Sequence, residues 1–217
     1  MQKDVMPTVP VLVDGLAGAF GFERSKAKSL SRYMREADLL TSGARGVNAP
    51  PATARDAVRV LLAMMLDTSL ALVSDDVKLF GSLKPVDGEA FSLAFAPSNL
   101  EDAMVTIVER FMTRSVDDAK TFNASVRVVP YLITASVSIS YLWDAGPNGD
   151  GDEYGMIERA KAVEFMHPDI HEISEAPLPQ SYMDATARFP RKFWQAPELR
   201  SHELAFIADL LTDKISF

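Results

Sequence analysis

The sequence predicts an α+β protein, with a helical module of helix-turn-helix type in front of a region built on an antiparallel sheet. Three observations carry this. Apolar residues recur every three or four positions through residues 10–66, strict alternation runs through 135–143, and glycines and prolines gather between such segments. The helical module is assigned to residues 1–80 and the acidic α+β region to 81–217.

The first helix is expected over residues 10–20, where Val11, Leu12, Leu16, Ala19 and Phe20 supply one apolar face and Gly15 and Gly18 weaken it. Gly21 provides a break. A second helix is expected over about 25–39, with Ala27, Leu30, Met34 and Ala37 inward and Lys26, Lys28, Arg32 and Arg35 on other faces. Residues 41–51 hold Gly43, Gly46, Pro50 and Pro51, which demand a loop or short hairpin. Thr53 and Asp56 then have capping-box spacing and open the central core helix of the module. It ends near Asp67 or extends through Leu70 to Val73.

Beyond Gly81 the texture changes. Phe91, Leu93 and Phe95 alternate weakly with Ser92 and Ala94, and Asn99 caps a helix over 99–114 with Ala103, Ile107, Val108 and Phe111 inward. Residues 125–129 read as a strand. In 135–143, Val137, Ile139, Tyr141 and Trp143 share one face and three serines the other, the pattern of a half-exposed antiparallel strand. An acidic turn-rich loop follows over 144–153, and 157–166 returns as the partner strand. The proline-spaced stretch 168–197 is expected to be irregular, and 201–215 to close the chain as an amphipathic helix.

Composition removes several function classes. With no cysteine among 217 residues, disulfide frameworks, thiolate zinc sites and cysteine nucleophiles are all excluded, and a reducing, cytoplasmic setting is expected. The apolar stretch near the start is broken by Pro10 and Asp14, unlike a signal peptide, and no run is long enough to span a bilayer. The net charge of −8 is unevenly spread. Residues 1–60 hold nine basic and six acidic side chains, a net +3, and the remainder thirteen against 24, a net −11. The positive excess thus lies in the helical module.

The run Leu30-Ser-Arg-Tyr-Met-Arg-Glu-Ala-Asp-Leu-Leu40, then Ser42-Gly-Ala-Arg-Gly46, then Thr53-Ala-Arg-Asp-Ala-Val-Arg-Val-Leu-Leu62 resembles the helix, wing and next helix of winged-helix regulators. Over residues 8–66 the pattern is similar to MerR-type DNA-binding domains and to front ends of uncharacterised bacterial and phage proteins. It departs from the MerR wing in its longer loop and in Pro50-Pro51. The resemblance implies a recognition helix bearing Lys26, Lys28, Arg32 and Arg35, with the glycine-flanked Arg45 on a wing approaching phosphates. Arg55 completes the nucleic-acid-contacting set.

Other motifs fail on spacing. The loop starting at Asn148 places Glu153 and Arg159 where a calcium loop needs glycine and a bidentate glutamate. His167 and His171 have helical ligand spacing but no obvious third ligand, and they are expected at the surface. There is no nucleophile elbow and no phosphate loop. The cluster Phe189-Pro-Arg-Lys-Phe-Trp194 offers stacking surface, although Phe and Trp there more readily plug the edge of the core.

The sequence therefore points to a non-catalytic DNA-binding accessory or regulatory protein without cofactor, acting on double-stranded DNA as a homo-oligomer and not at a membrane. The small +3 charge implies few phosphate contacts per chain, which is why oligomers are expected. The alternatives are a structural or assembly component of a phage or bacterial complex, and an enzyme whose site comes together only in the fold.

Overall fold

Thr53 begins the central helix because its side chain accepts a hydrogen bond from the Asp56 amide, while Asp56 accepts from the Thr53 amide. In a computed structural model describing residues 7–43, 49–86, 96–113, 122–144, 156–171, 178–189 and 197–212, this capping box opens helix α3 (Ala54–Leu66). Ten of its thirteen residues are buried, so it is a core helix. It stops at Asp67, whose left-handed backbone (φ 48°) ends it, and a separate helix α4 (Val73–Gly81) follows.

Helices α1 (Val9–Ala19) and α2 (Arg24–Glu36) precede it. Pro10 sits in the first turn of α1, where its missing amide costs nothing. Gly21 makes the tight turn between them at φ 63°, a conformation that disfavours a side chain. Asp38 ends α2 in the left-handed region: its amide bonds to Arg35 O and that of Leu39 to Met34 O, at 3.1 and 2.9 Å.

The second half is a five-stranded antiparallel sheet in the order β1-β4-β3-β2-β5. The strands are β1 (Lys84–Pro85), β2 (Phe122–Val129), β3 (Thr134–Asp144), β4 (Met156–Met166) and β5 (Glu198–Arg200). The serine alternation holds: Ala135, Val137 and Ile139 are buried while Ser136, Ser138 and Ser140 are half-exposed. Phe122, Ala124, Val126 and Val128 continue the covered face on β2. Helices α5 (Leu100–Thr113) and α8 (Ser201–Leu211) pack on it, with Phe111 and Phe122 rings 5.0 Å apart. The mixed helical and antiparallel architecture is thus α+β.

Residues 168–189 differ from the expected irregular stretch, because they hold two helices, α6 (Pro168–His171) and α7 (Gln180–Ala187). Pro168 is the first residue of α6 and Pro179 the N-cap of α7, so these prolines start helices rather than break them. After α7, Phe189 is buried edge-on against Phe80, at 5.4 Å between centroids. Arg188 lies 3.1 Å from the buried Asp76 carboxylate as a charge partner, without hydrogen-bond alignment. Burial pushes Asp76 above the usual carboxylate range, and Arg188 opposes this. The segment 91–95 and the loop 145–153 lie outside the described residues.

His167 corrects another expectation: it is buried, not at the surface. Its Nδ1 accepts the Asp169 amide at 3.2 Å, holding the start of α6, and its ring stands edge-on to Tyr182.

Helix α3 meets α5 through ions. The buried Glu101 accepts from Arg59 Nε at 2.9 Å and Nη2 at 3.0 Å, and also from Arg55 Nη1. A Cβ on Gly81 would sit 3.2 Å from Glu101 Oε2, so α4 approaches this cluster closely at a residue without a side chain. Buried side chains on both sides of residue 80 belong to one core, from Val9 to Leu211.

Two outcomes follow from this packing. Glu101→Ala leaves two guanidinium groups without their acceptor and lowers unfolding free energy by about 3 kcal/mol, read from urea titration. Burial holds His167 below its ordinary range, with Asp169 opposing. Its contribution to stability is therefore complete above about pH 6.5 and fades as pH falls towards the folded-state value. The difference in melting temperature between wild type and His167→Gln shrinks over that window; a constant difference refutes the assignment.

Candidate nucleic-acid interface

Helix α2 buries Ala27, Leu30, Ser31 and Met34 against the other helices. At about 100° per residue, Arg24, Lys28, Arg32 and Arg35 then fall within an arc of roughly 80°. All four are exposed. They form one basic stripe along the helix, held in place by the apolar seam on its other side.

Three of these four were in the sequence-derived set; Arg24 was not. Its signal was available, because Arg24, Lys28 and Arg32 are spaced four apart. Its Nη2 lies 3.6 Å from where a Cβ on Gly18 would sit, so it reaches across the end of α1. Lys28 Nζ is 3.3 Å from Asp14 Oδ1, without hydrogen-bond alignment, and Arg32 Nε is 3.5 Å from Glu36. The Arg35 guanidinium has no ion-pair partner among the described residues.

Lys26 and Arg55 stand apart from this stripe. Lys26 pairs with Asp67 at the end of α3 and lies 5.5 Å from the Phe22 ring centroid. Arg55 belongs to the Glu101 cluster and also reaches Asp102 at 3.2 Å. Burial works against its charge, but Glu101 and Asp102 outweigh it and hold the guanidinium above its usual range. Asp102 is held low, first by the Ser98 hydroxyl and then by Arg55. Arg55 is therefore a structural cation; the acids that claim it are 46 and 47 residues away, beyond any local pattern.

Arg45 lies outside the described residues, but the two ends of its loop are defined. Asp56, 2% exposed, accepts from the Thr41 amide and hydroxyl at 2.6 and 2.8 Å, and from the Thr53 amide and hydroxyl at 2.7 Å each. Arg59 Nη1 donates to Leu39 O at 2.7 Å. Ala52 N donates to Pro7 O at 2.8 Å, and Thr8 bridges Pro51 in antiparallel sense. One buried carboxylate thus closes the base of the loop, and the returning chain is laid beside the start of α1.

Elsewhere, Asn123, Ser125, Ser138 and Ser140 line an open cavity of about 500 Å³ beside Arg200 and His202. His202 is exposed, and among the described residues no group of three His, Cys, Asp or Glu side chains is placed to hold a metal ion. No described helix is long and apolar enough to cross a membrane. Comparison with known proteins finds no matching family model, no matching curated protein and no matching solved structure.

Asp56→Ala removes the carboxylate half of the capping box and both Thr41 bonds together, while the Thr53 hydroxyl still accepts the residue-56 amide. It lowers unfolding free energy by about 2 kcal/mol and speeds hydrogen exchange at the Thr41 amide, whereas Thr53→Ala costs about 1 kcal/mol and leaves that amide protected.

Proposed function

We propose that this chain is a non-catalytic, double-stranded-DNA-binding accessory or regulatory protein, with α2 as its reading helix. The observation that carries this is the exposed stripe of Arg24, Lys28, Arg32 and Arg35 on one side of that helix. A helix braced from behind by a short partner and a tight turn is the arrangement by which helix-turn-helix modules present side chains to a major groove. The closed loop base supports a winged variant, since the loop leaves just after α2 and returns beside α1.

The ion pairs on the stripe do not oppose this use. Arg32 with Glu36 is a solvent-exposed pair at 3.5 Å, and Lys28 is exposed although the Asp14 Oδ1 that it faces at 3.3 Å is buried and forms no hydrogen bond with it. Such pairs contribute about 0.2–1 kcal/mol and exchange readily for a phosphate. The reading rests on these four cations, because Lys26 lies on the opposite side of α2, paired with Asp67, and Arg55 is engaged by the buried Glu101.

Four phosphate contacts predict that log K falls with log salt at a slope of about −3.6 per chain. Fluorescence anisotropy on a random duplex across a salt series measures this. R24E/R32E/R35E, which alters only exposed side chains, abolishes binding, and circular dichroism shows that it keeps the wild-type helix content even where the lost Arg32–Glu36 pair lowers the melting temperature slightly. Equal binding by that variant refutes the reading; a wild-type chain that ignores duplex DNA at low salt favours an assembly component instead.

A further inference from the structure

The face of the sheet turned away from α5 and α8 carries a charge pattern that the strand register defines. Cross-strand pairing puts Glu198 of β5, Arg127 of β2, Ser136 of β3 and Glu164 of β4 side by side in one row. Lys84 of β1 pairs with Met166, one step along on the same face. Read across the sheet, the row is negative, positive, neutral and negative, and it ends level with the uncharged Val86 of β1, whose amide donates to Glu164 O. Its inner members, positive on β2, neutral on β3 and negative on β4, are antisymmetric about β3.

We propose that this face docks on the same face of a second copy of the chain, about a two-fold axis lying parallel to β3. Such an axis exchanges the two sides of the sheet while keeping each row level. It stacks Arg127 of each copy over Glu164 of the other, and Glu198 over the β1 edge that carries Lys84. Ser136 and Ser138, on the axis, meet their own copies. Each hydroxyl both donates and accepts, so a serine facing a serine is satisfied on both counts.

Arg127 and Glu164 are both exposed, and neither has an ion-pair partner among the described residues. With strands about 4.8 Å apart, they stand roughly 10 Å from one another across Ser136, and they do not pair within the chain. An arginine and a glutamate left open on a serine-lined surface are what an isologous contact uses, because both halves of each pair come from one patch. Small side chains between them allow two sheets to approach to about 10 Å. Glu198 is partly engaged by Arg200 at 3.4 Å and Lys84 by Ser98 O at 3.4 Å, so the inner pair carries the contact. The face presents on the order of 500 Å² per copy, the size of a weak, concentration-dependent dimer.

The test is sedimentation equilibrium of the full chain to about 100 μM, where a weak dimer of this size is populated. Wild type is expected to dimerise. R127E and E164R each raise the dissociation constant about 100-fold, because each sets like charges face to face. The double variant R127E/E164R restores wild-type association, and so does mixing the two single variants, since each then meets its complement. Arg127 and Glu164 are exposed and thermal melts check that the variants stay folded; Ser138→Arg, at a half-exposed position on the axis, gives an independent block. A monomeric wild type, single variants that associate as wild type does, or a double variant that stays monomeric each overturn the proposal. It does not depend on DNA binding, which is carried by α2.

Discussion

Glu101, buried at the start of α5 and gripped by Arg59 and Arg55 of α3, determines how the helical front meets the sheet-bearing half. A carboxylate there is costly to desolvate, and the bidentate Arg59 contact offsets that cost only in one alignment of the two helices. The pairing therefore specifies position more than it adds stability. Arg59 also takes Leu39 O, so the same side chain that orients α5 holds the chain leaving α2. One turn earlier, Asp56 gathers Thr41 and Thr53. Helix α3 thus sets the α5 contact, the end of α2 and the base of the following loop from two adjacent turns.

This sorts the cations of the front half by what lies opposite them. Arg55 faces the buried Glu101 of α5 and acts inside the fold, while Lys26 pairs with the exposed Asp67 at the end of α3, on the side of α2 away from the stripe. The stripe on α2 faces outward, and of the acids it meets Glu36 is exposed and Asp14 half-buried. In water such pairs are nearly balanced against solvation, which leaves the stripe available to a polyanion. The net charge of −8 does not decide the matter, because the acidic excess lies outside the first sixty residues.

The sheet has a different logic on its two faces. Phe122, Val126, Val137 and Phe165 bury one face beneath α5 and α8, which makes the register strict, since a one-residue slip would turn every apolar side chain outward. That strictness also orders the other face. Serines and charges that are unremarkable along each strand become a defined row only when five strands are aligned.

The sequence alone determined what short-range geometry determines. The Thr53–Asp56 box, the Asn99 cap whose side chain accepts the Asp102 amide, the serine alternation of β3 and the apolar seam of α2 all depend on residues two to four apart. The α+β class followed from these. Tertiary structure decided the rest, because the deciding partners are far apart in sequence. Arg55 belongs to Glu101, and the burial of His167 depends on Tyr182 and its helix, in a stretch whose prolines read equally as breaks or as helix starts. The row through Glu198, Arg127, Ser136 and Glu164 exists only after strands from four parts of the chain pair. Periodicity records which way a side chain faces within its own element, and only packing supplies what stands opposite it.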